Sequence, residues 1–145
     1  MVLGLIIAAF VFTFAKSGPV LKEAKTYIDL SIPAIATTWD GAELFSRAAP
    51  ELVVELKDGA LETLMADGSR LLGEMTSYAG AECSNYHFSA TTQNGSLAQV
   101  TCTAHAIHQR AEADYSVTII KRDEEWRVLK FHLKTIEGKH NLTDV

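Results

Sequence analysis

The chain has 145 residues, a formal net charge of −5 and two cysteines. This length is typical of a single domain. The excess of acidic residues argues against a nucleic-acid partner, which would call for a basic face. Two cysteines are too few for a disulfide-rich scaffold.

The first fifteen residues, MVLGLIIAAFVFTFA, carry no charged side chain. As a helix they would rise about 22 Å, which is less than the roughly 30 Å hydrocarbon core of a bilayer. This length suits an export signal, but the basic residues that open such a signal are missing. A longer span would continue to Leu21 past Lys16, whose aliphatic stem can reach the membrane interface.

We therefore predict that residues 1–18 form an uncleaved membrane anchor or a cleaved signal peptide. The protein would then be membrane-anchored or exported, in a periplasmic or other extracytoplasmic location. The alternative is a buried helix of a cytoplasmic domain. Such a helix normally shows a polar stripe, and this segment has none.

Three helices are predicted next. Pro19 suits the first turn of a helix, and apolar residues from Val20 to Trp39 recur with the spacing of one buried helix face. The segments AELFSRAA (42–49) and ALETLMADGSRLLGEM (60–75) have the same helical period.

Beyond Gly80 the apolar period changes to two, which is typical of strands. Asn94-Gly95 lies between two alternating segments and is a strong signal for a two-residue hairpin turn. A three-residue loop at 123–125 would pair apolar residues across the last two strands: Tyr115 with Leu133, Val117 with Phe131, and Ile119 with Leu129. The sequence predicts an α+β domain with N-terminal helices packed on a curved four-stranded antiparallel sheet.

This order of elements resembles the NTF2-like (cystatin-like) superfamily, over about residues 19–136. The resemblance rests on the segment TTWDGAELFSRAAPEL after the first helix and on the ending DEEWRVLKFHL. It implies a sheet that folds around the first helix as a cone, in a domain at 19–138 that follows the 1–18 segment and precedes a tail at 139–145. The family includes small-ligand enzymes, non-catalytic binding domains and membrane-tethered envelope proteins, so the fold alone does not choose the function.

The Asn94-Gly95 turn sets the expected environment of the cysteines. It would place His87 opposite Cys102 and would leave Cys83 four residues away along the strand, at about 13 Å, whereas a disulfide needs Cα atoms within roughly 7 Å. We therefore expect two buried thiols, and a disulfide only with a turn at Thr92-Gln93 or a bulge. A zinc site at Cys83, His87 and Cys102 would lack a fourth ligand.

The resemblance also implies where a ligand would bind, because enzymes of this family use an Asp or His inside the cone as general acid or base. His87 and His108 are the candidates, whereas His105 and His132 look like surface residues without partners. The predicted pocket residues are Trp39, Asn85, His87, Cys102, His108 and Tyr115. No carboxylate accompanies them on the predicted inward face, so we predict no catalytic residue, no metal and no cofactor.

These observations favour a non-enzymatic, membrane-tethered or exported domain that binds a small apolar ligand or an envelope partner protein. One alternative is a small-molecule isomerase, dehydratase or hydrolase that uses a cavity histidine. Another is a structural subunit of an envelope or secretion assembly, with a homodimer interface on the sheet face that bears Tyr86, Phe88 and Ile107.

Overall fold

The computed structural model describes the backbone of residues 2–91 and 95–136, and the side chains of residues 18–89 and 96–136. The predicted class is confirmed: the chain is α+β, with helices packed on a curved antiparallel sheet. The helices are α1 (Val2–Thr38), α2 (Gly41–Phe45), α3 (Pro50–Glu55) and α4 (Ala60–Leu71). The strands are β1 (Met75–Tyr78), β2 (Glu82–Thr91), β3 (Gly95–His108), β4 (Glu112–Arg122) and β5 (Glu125–Ile136).

The described part of the sheet has five strands, not the four that were predicted. The additional strand is β1, of which Met75 alone was in the predicted third helix, while 76–78 were assigned to no element. That helix ends at Leu71, and Gly73 follows with a φ of 75°. A left-handed glycine just past a helix end is a common stop signal, so the chain leaves the helix and pairs with β3 instead.

Helix α1 begins at Val2, not near Pro19 as predicted, and both Pro19 and Pro33 lie inside it. Each proline removes one backbone hydrogen bond without ending the helix. The predicted anchor or signal at 1–18 lies, except for Gly18, outside the residues whose side chains are described. No helical segment whose side chains are described is long and apolar enough to cross a membrane.

The core lies between α1 and one face of the sheet, which we call the inner face. Every third or fourth residue of α1 from Ala24 to Ala36 is buried, as the helical spacing predicts. The even-numbered residues of β3 from Val100 to His108 are also buried and face α1. The opposite side of the sheet, the outer face, carries the odd-numbered residues of β3.

Strand β3 organises the sheet. Strand β4 pairs with one side of it, while β2 and β1 pair end to end with the other side, and β5 pairs with β4. Asp29 of α1 holds the joint between β1 and β2, because it accepts hydrogen bonds from the Tyr78 hydroxyl at 2.7 Å and the Ala81 amide at 2.8 Å.

The pairing of the last two strands follows the prediction over most of its length. Tyr115 pairs with Leu133 and Val117 with Phe131, as predicted, but Ile119 pairs with Val128 instead of Leu129. The turn has only two residues, Asp123 and Glu124, which both have positive φ angles of 51° and 66°. This is the geometry of a twisted two-residue turn, and a bulge at Leu129 takes up the difference of one residue.

The predicted register of β2 and β3 is wrong. Thr91 pairs with Gly95, so three residues connect the strands; the predicted turn residue Asn94 is one of them and lies outside the described residues. A bulge between Ser84 and His87, at which Asn85 has a φ of 53°, shifts the pairing by one more residue. Cys83 therefore lies directly opposite Cys102, and the two form a disulfide instead of remaining thiols.

The bulge also reverses the faces of β2 beyond it, because a shift of one residue moves each side chain to the other face. His87 lies opposite Gln99 on the outer face, so the zinc alternative and the cone-facing position of His87 are both wrong. Phe88 lies opposite the buried Ala98 on the inner face, whereas Ile107 is on the outer face. The predicted interface that combined Phe88 with Ile107 on one face is therefore not formed.

Candidate functional site

Three of the six predicted pocket residues meet in one buried cluster. Trp39 follows α1, His108 ends β3, and Tyr115 lies on β4. The ring centroids of Trp39 and His108 are 5.9 Å apart, and those of His108 and Tyr115 are 6.1 Å apart. The structure thus brings these three positions together in a packed cluster.

The backbone carbonyl of Gly73 fixes the protonation of His108. It accepts a hydrogen bond from Trp39 Nε1 at 2.8 Å and contacts His108 Nδ1 at 2.9 Å. Because a carbonyl can only accept, Nδ1 must carry the proton, and Nε2 accepts from the Tyr115 hydroxyl at 2.7 Å. Both ring nitrogens are therefore occupied within the protein.

Burial keeps this cluster neutral. It lowers the pKa of His108, although the bond to Gly73 acts in the opposite direction, and it raises the pKa of Tyr115. A histidine that acts as general acid or base must present a ring nitrogen to its substrate. His108 is only 4% exposed and is packed between two aromatic rings.

The other three predicted residues do not join the cluster. Cys102 is fully buried in the disulfide. Asn85 is the exposed bulge residue, and asparagine tolerates its left-handed backbone better than most residues do. His87 is exposed on the outer face.

A groove with a volume of about 590 Å³ lies on the outer face. Two rows of outward side chains cross three neighbouring strands at this point, and the joint between β1 and β2 closes one side. We call this feature the outer groove. The residues with outward side chains that line it are Glu82, Thr103, His105, Asp114, Ser116, His132 and Lys134.

His105 is the most strongly paired side chain of the outer groove. Its Nδ1 lies 2.8 Å from Asp114 Oδ1 and its Nε2 lies 3.0 Å from Glu112 Oε1. These hydrogen bonds, with that to Asp114 the stronger, raise the pKa of His105. Only the imidazolium can donate from both nitrogens at once, so the geometry favours the charged form.

Sequence reasoning missed this cluster, because it assigned His105 to the surface without a partner. A usable signal was present in the short connection at 109–111. That connection places His105 directly opposite Asp114 once β3 and β4 are paired.

Replacing His105 with glutamine is expected to lower the free energy of unfolding at about pH 5.5 by at most about 1 kcal/mol, because these ion pairs are half exposed. A histidine whose pKa is raised on folding stabilises fully below its unfolded pKa of about 6.5, and this contribution is lost as the pH rises through the folded pKa. Urea unfolding near pH 9.5 should therefore show almost no difference. An equal loss at both pH values would contradict the paired imidazolium.

No family model, curated protein or solved structure matches this chain. Its function must therefore be inferred from its own residues and their geometry.

Proposed function

We propose that this chain is a non-enzymatic binding domain of the NTF2-like type, held at a membrane or exported across it through residues 1–18. Its ligand is an envelope partner protein, and the binding site is the outer groove. The observation that carries this proposal is the contrast between the two faces of the sheet. The inner face is filled by side chains of the core, whereas the outer face has a groove of about 590 Å³.

The contents of the inner face argue against an enzyme with a cavity histidine. Ile28, Ile32 and Ile35 of α1 are all at most 1% exposed and fill the space over the sheet. His108 has both ring nitrogens engaged by Gly73 and Tyr115. A substrate would have to displace packed side chains and break these hydrogen bonds before it reached the histidine.

The chemistry of the outer groove favours a polypeptide over a small apolar ligand. Thr103 and Ser116 offer hydroxyl groups from the floor, and Lys134 and Glu82 place opposite charges on different strands. A polypeptide segment presents both donors and acceptors along its backbone. The groove is also open to solvent on the outer face, so a polypeptide segment could bind there without displacing core side chains.

Replacing Ser116 with arginine is expected to reduce partner capture at least about tenfold, because a long charged side chain would occupy the floor of the groove. The matched control is Ser84→Arg, the same change at an exposed position on the outer face that does not line the groove. The measurement is quantitative mass spectrometry of proteins that co-purify with the tagged full chain from native membranes. Equal capture by both variants and the unmodified chain would overturn the proposal.

A further inference from the structure

A second surface, which is apolar, lies where α1 first packs against the sheet, near Val20. Phe88 is 59% exposed there, and it borders a small hollow of about 130 Å³ together with Val20 and Tyr86. We propose that this α1-entry surface, made of Val20, Tyr86 and Phe88, contacts the headgroup layer of a lipid bilayer. This inference rests on the proposed tether at residues 1–18.

The position of Val20 along α1 carries the inference. The uncharged sequence ends at Ala15, and five residues of helix separate it from Val20, a rise of about 8 Å. The headgroup layer on each side of a bilayer is about 5–8 Å thick. If the uncharged segment lies in the hydrocarbon core, Val20 and the neighbouring Phe88 lie at the level of the headgroups.

The entry of α1 is also fixed relative to the sheet. Glu23, one turn after Val20, accepts hydrogen bonds from Lys121 at 2.6 Å and from the Trp126 indole at 2.7 Å. The bond from Lys121 lowers the pKa of Glu23, although burial acts in the opposite direction. The helix is thereby tied at Glu23 to the hairpin of β4 and β5, so this part of α1 and this end of the sheet keep one orientation.

The residue types at this end identify the class of lipid. Tyrosine, like tryptophan, is enriched at membrane interfaces, where its amphipathic ring lies at the level of the headgroups, and Tyr86 is such a residue. Lys121 and Glu124 also line this hollow, and their charged groups lie 3.8 Å apart, so the two charges offset each other. The surface therefore fits a zwitterionic bilayer through apolar contact, without electrostatic attraction.

The test places a fluorescent probe at the surface in the full chain. Phe88→Trp keeps both native tryptophans, because the Trp126 indole helps to hold α1 on the sheet, and vesicles contain phosphatidylcholine that is brominated on its acyl chains. Ile107→Trp is the control, because Ile107 is 44% exposed on the outer face and lies about 30 Å along β3 from Ala98, the partner of Phe88. Trp39 and Trp126 remain in both variants and in the unmodified chain, whose quenching is subtracted as the background.

We expect bromine to quench the tryptophan at position 88 at least about twofold more than the one at position 107, with or without anionic lipid. Co-sedimentation of the chain with vesicles but equal quenching at both positions would overturn the surface contact and leave the tether intact. Failure to co-sediment would overturn the tether and this inference together. A concentration-dependent shift of the position-88 emission without vesicles would identify a second copy as the occupant and would also overturn it.

Discussion

Replacing Gly68 with alanine is expected to destabilise the domain by about 2–3 kcal/mol, although alanine is the better helix former by about 1 kcal/mol. A Cβ atom at position 68 would lie 2.3–2.6 Å from three atoms of the Trp39 ring. Trp39 cannot move aside without losing its hydrogen bond to Gly73. Urea unfolding of the variant measures this loss.

A control variant and a double-mutant cycle isolate the contact between Gly68 and Trp39. Ser69→Ala, at the next position of α4, also introduces alanine into this helix but at an exposed site, so we expect unchanged or higher stability. Gly68→Ala should cost less stability in a Trp39→Phe chain than in the unmodified chain, because the smaller ring leaves room for the methyl group. A Gly68→Ala variant as stable as the unmodified chain would contradict the packing described here.

Removing the disulfide by Cys83→Ala with Cys102→Ala is expected to lower the free energy of unfolding by about 3 kcal/mol. The bond closes a loop with a sequence separation of 19 residues, and it joins a strand at the side of the sheet to the central β3. Its main effect is to lower the conformational entropy of the unfolded chain, because it keeps Cys83 and Cys102 together there.

Chemical reduction provides the control for the disulfide. A reducing agent should lower the urea midpoint of the unmodified chain to about that of the double variant, and it should leave the double variant unchanged. An unmodified chain whose midpoint does not respond to reduction would contradict the bond between Cys83 and Cys102.

Long periodic segments were predictable from the sequence, because one physical pattern controls many residues. The buried stripe of α1 and the pairing of Tyr115 with Leu133 follow directly from spacing. The bulge at Asn85 was not predictable in this way. It involves one residue, and it adds to the register shift at the turn, so that Cys83 lies opposite Cys102.

The candidate site was predictable only in part for a related reason. Trp39, His108 and Tyr115 could be placed together from their positions on the predicted elements. The backbone carbonyl of Gly73 accepts hydrogen bonds from Trp39 and His108, and no sequence pattern predicts this interaction. The outer groove depends on the register of three strands at once, and its polar residues alternate with core residues as on any solvent-exposed sheet.

The most direct measurement of where this domain binds is site-specific photo-cross-linking in native membranes. A benzophenone amino acid is placed at His132, which lines the outer groove, or at His87, which is equally exposed on the same face but does not line it. We expect a discrete protein adduct from position 132 and none from position 87. An adduct from position 87 alone, or none from either position while partners still co-purify, would contradict binding in the outer groove.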